Sequence, residues 1–250
     1  MHSALRPSPQ PHERRRLYLM RHGAVSYFDQ DGRRRLPEHV ALNRMGQAQA
    51  DSAGACFAAA GVRFDRIICS GLPRTRETAE RVLASMDHAG AVEELPALQE
   101  IRGGRLSMIA EADLPAAFTG LSRAMVSENT RFLGGESLAE LLDRILPPFR
   151  TLLMEPGWQV ALLVLHGAVN TALLSYLLSG GDRCFFGTLV QSPGCINVID
   201  AGHDQAASVV RLINHSPGNP LQPERRETPL EGLLSDYQAH RAALDDLHSS

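Results

Sequence analysis

Short apolar runs alternate along this chain with longer segments of helical periodicity, and that alternation limits the fold more than any other feature. A run such as Val160–Leu165 is continuously apolar and branched at both valines, which is typical of a buried strand in a parallel sheet. Strands that alternate with helices indicate an α/β fold. We therefore expect a three-layer sandwich with a mostly parallel central sheet, helices on both faces and a partly helical insertion.

The predicted elements follow one another in a regular order. Strands are predicted at residues 16–20, 65–69, 91–95 and 160–165, and a late hairpin at 195–200 and 208–214. Helices are predicted at 43–60, 73–86, 137–154, 167–179 and 230–247, the first capped by Asn43 and the second opened by Pro73. Pro147 and Pro148 are expected to disturb the third helix, because proline lacks the N–H that an inner turn needs.

The remaining segments predict a tail and an insertion. Residues 1–15 are rich in proline and polar side chains, which indicates a flexible N-terminal tail. A length of 250 residues fits either one large domain or two small ones. We predict a single domain over 16–250, with the less regular residues at about 106–134 as an insertion beside the sheet.

The chain contains no lysine, so all 25 of its basic residues are arginine. This excludes a Walker A loop, a Schiff-base lysine and the β3 lysine of a protein kinase, since each of these needs a lysine amine. If the protein handles phosphate, it does so with arginine and histidine. Arginine suits that task, because its planar fork holds phosphate oxygens in pairs and keeps its charge.

Charge and cysteine usage set further bounds. The net charge of −3 provides no general basic field for nucleic acid, and the apolar runs are too short to span a bilayer. The four cysteines are scattered without a CxxC pair, which favours reduced thiols and a cytoplasmic location. The ten histidines form no zinc signature such as HExxH. We expect no metal, no cofactor, no membrane and no signal peptide.

Histidine and arginine side chains gather where predicted strands end. Arg21-His22-Gly23 closes the first strand, and His166-Gly167 closes the strand at 160–165. Arg74 falls in the first turn of the helix after the second strand, where free backbone N–H groups favour an anion. Ligands of open α/β sheets bind beyond the carboxyl ends of the strands, so these residues can face one pocket.

These residues belong to an ordered set that resembles the histidine phosphatase superfamily, in its phosphoglycerate mutase-like branch. The resemblance spans about residues 17–200, and the order of the pieces is more specific than any single piece. The matching pieces lie at 19–23 (LMRHG), 42–50 (LNRMGQAQA), 70–74 (SGLPR) with 78–79 (TA), 98–101 (LQEI), 135–138 (GESL) and 164–167 (VLHG).

The resemblance implies a role for five residues. His22 would be the nucleophile that forms a phosphohistidine, and Glu100 would be the general acid, for which a raised pKa suits best. Arg21, Arg74 and His166 would hold the transferring phosphoryl group and stabilise its charge, with His166 also counted as catalytic. The substrate would be a small phosphorylated molecule, and neither a metal nor a cofactor is implied. Whether the chain forms homo-oligomers stays open.

The family resemblance does not choose between its reactions. Glycolytic mutases typically carry an acidic or amide residue and then serine after the RHG motif, whereas this chain has Ala24-Val25. Their tyrosine-rich pattern after the catalytic glutamate is missing too, and the Gly-Trp-Glu-Gly of many phosphatases is matched only in part. We expect a metal-independent phosphomonoester hydrolase. A mutase-like phosphotransferase and a non-catalytic scaffold that binds a phosphorylated ligand are the alternatives.

Further arginines could face an anionic substrate. Arg33, Arg34 and Arg35 follow the RHG loop, and a solvated loop explains them at least as well. Arg102 and Arg105 lie close to Glu100 in the sequence and could bind a second acidic group of the substrate.

Overall fold

Six strands form one mixed sheet in the computed structural model, which describes residues 14–27, 35–202, 207–223 and 226–248. The strands are β1 (Arg15–Arg21), β2 (Arg66–Cys69), β3 (Val92–Glu94), β4 (Val160–Leu165), β5 (Ile196–Ala201) and β6 (Val209–His215). Their order across the sheet is β3-β2-β4-β1-β5-β6. The pairs β3/β2, β2/β4 and β4/β1 are parallel, whereas β1/β5 and β5/β6 are antiparallel. The predicted mostly parallel sheet and the late hairpin are confirmed.

Helices cover both faces of the sheet, as predicted. They are α1 (Arg44–Ala59), α2 (Pro73–Ser85), α3 (Leu114–Thr119), α4 (Leu138–Met154), α5 (Gly167–Leu178) and α6 (Pro229–His248). Alternate residues of β1 face opposite layers, as the two-residue period of a strand requires. Leu17 and Leu19 pack with α4 and α5, whereas Tyr18 and Met20 pack with α1 and α2.

The helix starts follow their capping residues. The Asn43 side chain accepts a hydrogen bond of 2.9 Å from Gly46 N, and Pro73 stands at the start of α2. Ser137 caps α4 in a reciprocal capping box with Glu140. The disturbance expected at Pro147-Pro148 does not end this helix, since α4 continues through both prolines to Met154.

The first strand begins one residue earlier than predicted, inside the segment assigned to the tail. Arg15 belongs to β1 and is only 6% exposed. Its guanidinium donates to the carbonyls of Leu153 and Glu155 and lies over the ring of Trp158. These contacts hold the start of the strand. The rest of the predicted tail, residues 1–13, lies outside the described residues.

The insertion is partly helical, and the C-terminal helix packs on it. Within residues 106–134 the structure has α3 and three short 3₁₀ turns. A small apolar cluster joins Phe118 of α3 to Tyr237 of α6, with ring centroids 5.6 Å apart. No helix among the described residues is long and apolar enough to cross a membrane.

Candidate active site

Strand register brings three strand ends to one edge of the sheet. Arg21 at the end of β1 is paired with Leu165 at the end of β4, so His22 and His166 follow side by side. Cys69 at the end of β2 is paired with Val164 of β4, which places Ser70 next to the same edge. The rings of His22 and His166 have centroids 5.3 Å apart and meet edge to face. The predicted meeting of these strand ends at one site is therefore observed.

A tight backbone approach fixes the loop that carries His22. Gly23 lies against the first turn of α1, where a Cβ on this residue would come within 2.3 Å of the Gly46 carbonyl oxygen. The Gly23 N–H donates to the Thr78 hydroxyl of α2, at 3.1 Å. Only glycine fits this position, because any side chain would push the loop away from α1.

One hydrogen bond sets the tautomer of His22. Its Nδ1 lies 2.7 Å from the carbonyl oxygen of Gly23. A carbonyl oxygen can only accept, so the ring proton sits on Nδ1 and the lone pair sits on Nε2. Burial lowers the pKa of His22 well below its usual 6.5, and the charges of Arg74 and Arg21 lower it further. The ring is therefore neutral at neutral pH, as a nitrogen nucleophile must be.

His166 is completely buried and is held by a chain of hydroxyl groups. Its Nε2 lies 2.7 Å from the Ser70 hydroxyl, which lies 3.0 Å from the Thr75 hydroxyl. The Thr75 hydroxyl donates to the Leu72 carbonyl at 2.8 Å, so Ser70 donates to Thr75 and His166 donates from Nε2 to Ser70. Its Nδ1 is buried and has no partner among the described residues. Burial, with the nearby positive charges and His22, lowers the pKa of His166 well below 6.5.

Two guanidinium groups lie around the histidines. Arg21 donates from Nη1 to the Gln191 carbonyl, and Arg74 donates from Nη1 to the Pro37 carbonyl, each at 2.6 Å. The Nε atoms of both arginines are buried and unpartnered within the described part of the chain. Buried donors without partners are costly, which suits a site that an anion completes.

Glu100 lies at the N-terminus of α5, next to His166. Its Oε1 accepts from the backbone N–H groups of Ile101 (3.0 Å) and Val169 (3.3 Å), and its Oε2 accepts from Ala168 (3.2 Å). A carboxylate at a helix N-terminus binds the free N–H groups of the first turn. Both Arg21 Nε and Glu100 Oε2 lie within 4 Å of where a Cβ on Gly167 would stand. The Glu100 carboxyl group is therefore held beside Arg21.

These groups open into a cavity of about 1440 Å³. Arg21, His22, Arg74 and Glu100 line one part of it, while His166 packs behind His22. The insertion and α6 contribute apolar side chains to the wall, among them Leu106, Phe118, Phe132, Leu233 and Tyr237. Described residues after position 215 thus form part of the cavity wall.

The other arginines considered from the sequence are placed differently. Arg35 and Arg102 line the cavity, whereas Arg105 is exposed and is not part of the lining. Arg33 and Arg34 lie outside the described residues. Within the described ranges, no group of three or more His, Cys, Asp and Glu side chains could hold a metal ion.

Four further residues contact the site but were not identified from the sequence. Ser70 and Thr75 hold His166, and a buried pair of Glu136 with Arg144 holds the loop of Glu100. Ser70 lies in the motif piece SGLPR and Glu136 lies in the piece GESL. That position within the family motifs is the sequence signal that could have identified them. His166 lies 96 positions from Ser70, and Gln99 lies 45 positions from Arg144, so no local pattern shows these two contacts.

The buried neutral histidines predict a stability that falls with acid. The unfolded chain takes up a proton near pH 6.5, whereas folded His22, with its lowered pKa, does not. The contribution of neutral His22 to the free energy of unfolding is fully present above about pH 6.5. Below that pH it is lost at up to about 1.4 kcal/mol per pH unit. Urea unfolding at about pH 7.5 and about pH 5.5 should show a smaller pH effect for His22→Asn than for wild type. Exposed His39→Asn serves as control, and equal pH effects in wild type and His22→Asn would contradict the assignment.

Comparisons with known proteins agree with the geometry. A family model described as "Histidine phosphatase superfamily (branch 1)" matches residues 17–214. The chain is 31% identical over 166 residues to "Probable phosphoglycerate mutase GpmB" of Erwinia tasmaniensis, covering 65% of this chain and 74% of that protein. The GpmB protein of Salmonella paratyphi A is 30% identical over the same length.

Solved structures show the same fold. The alpha-ribazole phosphatase of Shigella flexneri superposes with a TM-score of 0.62 at 24% identity, over 80% of this chain and 96% of that one. A mycobacterial glucosyl-3-phosphoglycerate phosphatase superposes with a TM-score of 0.62 at 23% identity, over 81% and 99%. At these identities the likeness establishes the fold alone.

Proposed function

The chain belongs to branch 1 of the histidine phosphatase superfamily, and from this membership and the geometry of its cavity we propose that it hydrolyses phosphate monoesters through a phosphohistidine on His22, without a metal ion. Membership makes it an enzyme that acts on phosphate esters; the reaction and the residue roles are our proposal. The observation that carries it is the Nδ1 bond of His22 to the Gly23 carbonyl, which leaves the Nε2 lone pair on a neutral ring that lines the cavity.

In the first step, His22 Nε2 attacks phosphorus and the ester P–O bond breaks. Arg21 and Arg74 hold the phosphoryl oxygens, and their buried Nε atoms supply donors that have no partner among the described residues. His166 lies beside His22 but is absent from the cavity lining. Its Nε2 stays on Ser70, and its Nδ1, which has no partner among the described residues, accepts the proton of a phosphate monoanion bound on His22. Glu100 enters this step as the carboxylic acid and gives its proton from Oε2 to the departing ester oxygen, which leaves as an alcohol while Glu100 becomes the carboxylate.

In the second step, water attacks the phosphohistidine. The Glu100 carboxylate takes a proton from this water as the new P–O bond forms. The N–P bond then breaks, its electron pair returns to His22 Nε2, and inorganic phosphate leaves. Each group ends in its starting protonation state, because the proton that Glu100 gave in the first step is recovered in the second.

Cavity size supports hydrolysis over phosphate transfer within one substrate. A mutase must exclude water and return the phosphoryl group to a second hydroxyl of a small acid. The cavity, at about 1440 Å³, exceeds the roughly 300–1,000 Å³ of a typical small-ligand pocket. A three-carbon acid would leave room for water beside the phosphohistidine, and that favours the hydrolase.

Two assays separate the candidate reactions. We expect hydrolysis of p-nitrophenyl phosphate in the presence of EDTA and little isomerisation of 3-phosphoglycerate with a bisphosphoglycerate primer. Strong isomerisation with negligible hydrolysis would make the protein a mutase. If both activities are absent and no phosphohistidine forms while inorganic phosphate still binds, the scaffold alternative is favoured.

A further inference from the structure

A partly buried ion pair holds the loop that carries Glu100. Arg144 of α4 and Glu136, just before that helix, meet in a bidentate contact, with Nε to Oε1 at 2.9 Å and Nη2 to Oε2 at 2.8 Å. Their side chains are only 15% and 8% exposed. Burial opposes ionisation of Glu136, but the hydrogen bonds and charges of Arg144 and Arg102 outweigh it and lower its pKa. The pair is therefore charged and fixed in one geometry.

The remaining donors of Arg144 go to the backbone around Glu100. Its Nη1 donates to the carbonyls of Ala97 (2.8 Å) and Gln99 (2.7 Å), and its Nη2 lies 3.3 Å from the carbonyl of Glu100 itself. One planar group thus fixes three carbonyls, two from residues before Glu100 and that of Glu100 itself. A lysine cannot do this, because its single ammonium lacks the planar fork.

Glu136 holds the same loop from the other side. Its Oε2 accepts from the Arg102 N–H at 2.9 Å, and its own backbone N–H donates to the Arg102 carbonyl at 2.8 Å. Gly135 packs so closely here that a Cβ on it would come within 2.3 Å of the Arg102 carbonyl oxygen. Together, Arg144 and Glu136 grip the backbone both before and after Glu100.

We propose that Arg144 and Glu136 are positioning residues that hold Glu100 where it can protonate the leaving oxygen. Arg144 is absent from the cavity lining and neither residue was assigned a part in the reaction above, so the pair acts through Glu100. This inference rests on the proposed hydrolase activity. Its particular consequence is that disturbing the pair damages proton transfer to the leaving group more than binding of phosphate.

The dependence of kcat/KM on the leaving group of the ester distinguishes this positioning role from a merely structural one. An alkoxide leaves only when it is protonated, whereas p-nitrophenolate leaves without help from an acid. The value of kcat/KM reports the steps up to formation of the phosphohistidine, so it contains the leaving-group step for both esters. We therefore compare kcat/KM for glycerol 3-phosphate with kcat/KM for p-nitrophenyl phosphate.

The main variant is Arg144→Lys, which keeps a positive charge beside Glu136. We expect it to lower kcat/KM for glycerol 3-phosphate by about 100-fold, within the range of general acid catalysis, and to lower that for p-nitrophenyl phosphate by less than about tenfold. Glu136→Gln keeps the shape of the side chain and should show the same contrast between the two esters. It replaces Arg144→Lys as the test variant if Arg144→Lys does not fold. Glu100→Gln shows the contrast expected when the general acid itself is lost.

Arg183→Lys is the matched control. Arg183 also makes a bidentate contact with a glutamate, Glu128, and reaches Asp143 of α4, but it lies away from the cavity lining. Arg183→Lys should leave kcat/KM for both esters unchanged. An equal loss on both esters in folded Arg144→Lys and Glu136→Gln overturns the positioning role. If wild type hydrolyses neither ester, the proposed function fails instead.

Discussion

Replacing His22 with alanine should lower kcat for p-nitrophenyl phosphate by about 10⁴-fold or more, the scale expected when a covalent nucleophile is removed. The same change should abolish the phosphoenzyme. Wild-type protein quenched during turnover of a radiolabelled ester should carry phosphate that is labile in acid and stable in base. His22→Ala should carry none, because no other nitrogen takes the place of Nε2 at the end of β1.

The control is His39→Ala, which removes an exposed histidine. It should label and turn over like wild type. Equal labelling of wild type and His22→Ala would remove His22 from the mechanism and, with it, the phosphohistidine. Loss of labelling with unchanged turnover would mean that the label is a side product and that water attacks the ester directly.

The fold was predictable because its signals are local. Strand periodicity, the Asn43 cap and the Pro73 helix start each depend on a few neighbouring residues, and all are confirmed. Arg15 was assigned to the tail because its burial depends on carbonyls about 140 residues away. Pro147 and Pro148 were expected to disturb α4, yet the helix tolerates them. Rules based on neighbouring residues do not take tertiary packing into account, and here eight buried side chains of α4 hold the helix in place.

The candidate site was predictable in its residues but not in its supports. The five predicted residues lie at one edge of the sheet because parallel strands end together, which is a general property of the fold. Ser70 contacts His166 across 96 positions, and Arg144 contacts Gln99 across 45. Such pairs follow from strand order and helix docking, which no local pattern reveals. The roles of the five residues stay predictions until they are tested.

Arg74 has two effects on the site, and one variant tests both of them through two measurements. It is 2% exposed, its Nε is unpartnered within the described residues, and its charge lowers the pKa of both His22 and His166. Arg74→Gln removes the charge but keeps an N–H donor on a shorter side chain. We expect kcat/KM for p-nitrophenyl phosphate to fall by about 100- to 1000-fold, because one charged donor to the phosphoryl oxygens is lost.

The pH dependence supplies the second readout. Without the Arg74 charge, protonated His22 is less disfavoured, so its pKa rises towards the ordinary value. The acid limb of kcat/KM, which reports the free enzyme, should therefore move to higher pH in Arg74→Gln. Arg76→Gln is the matched control, since Arg76 lies on the same helix but pairs with Glu94 outside the cavity lining. A loss below about tenfold, with an unmoved acid limb, would place Arg74 outside the phosphoryl site, because a charge beside the nucleophile must affect both quantities.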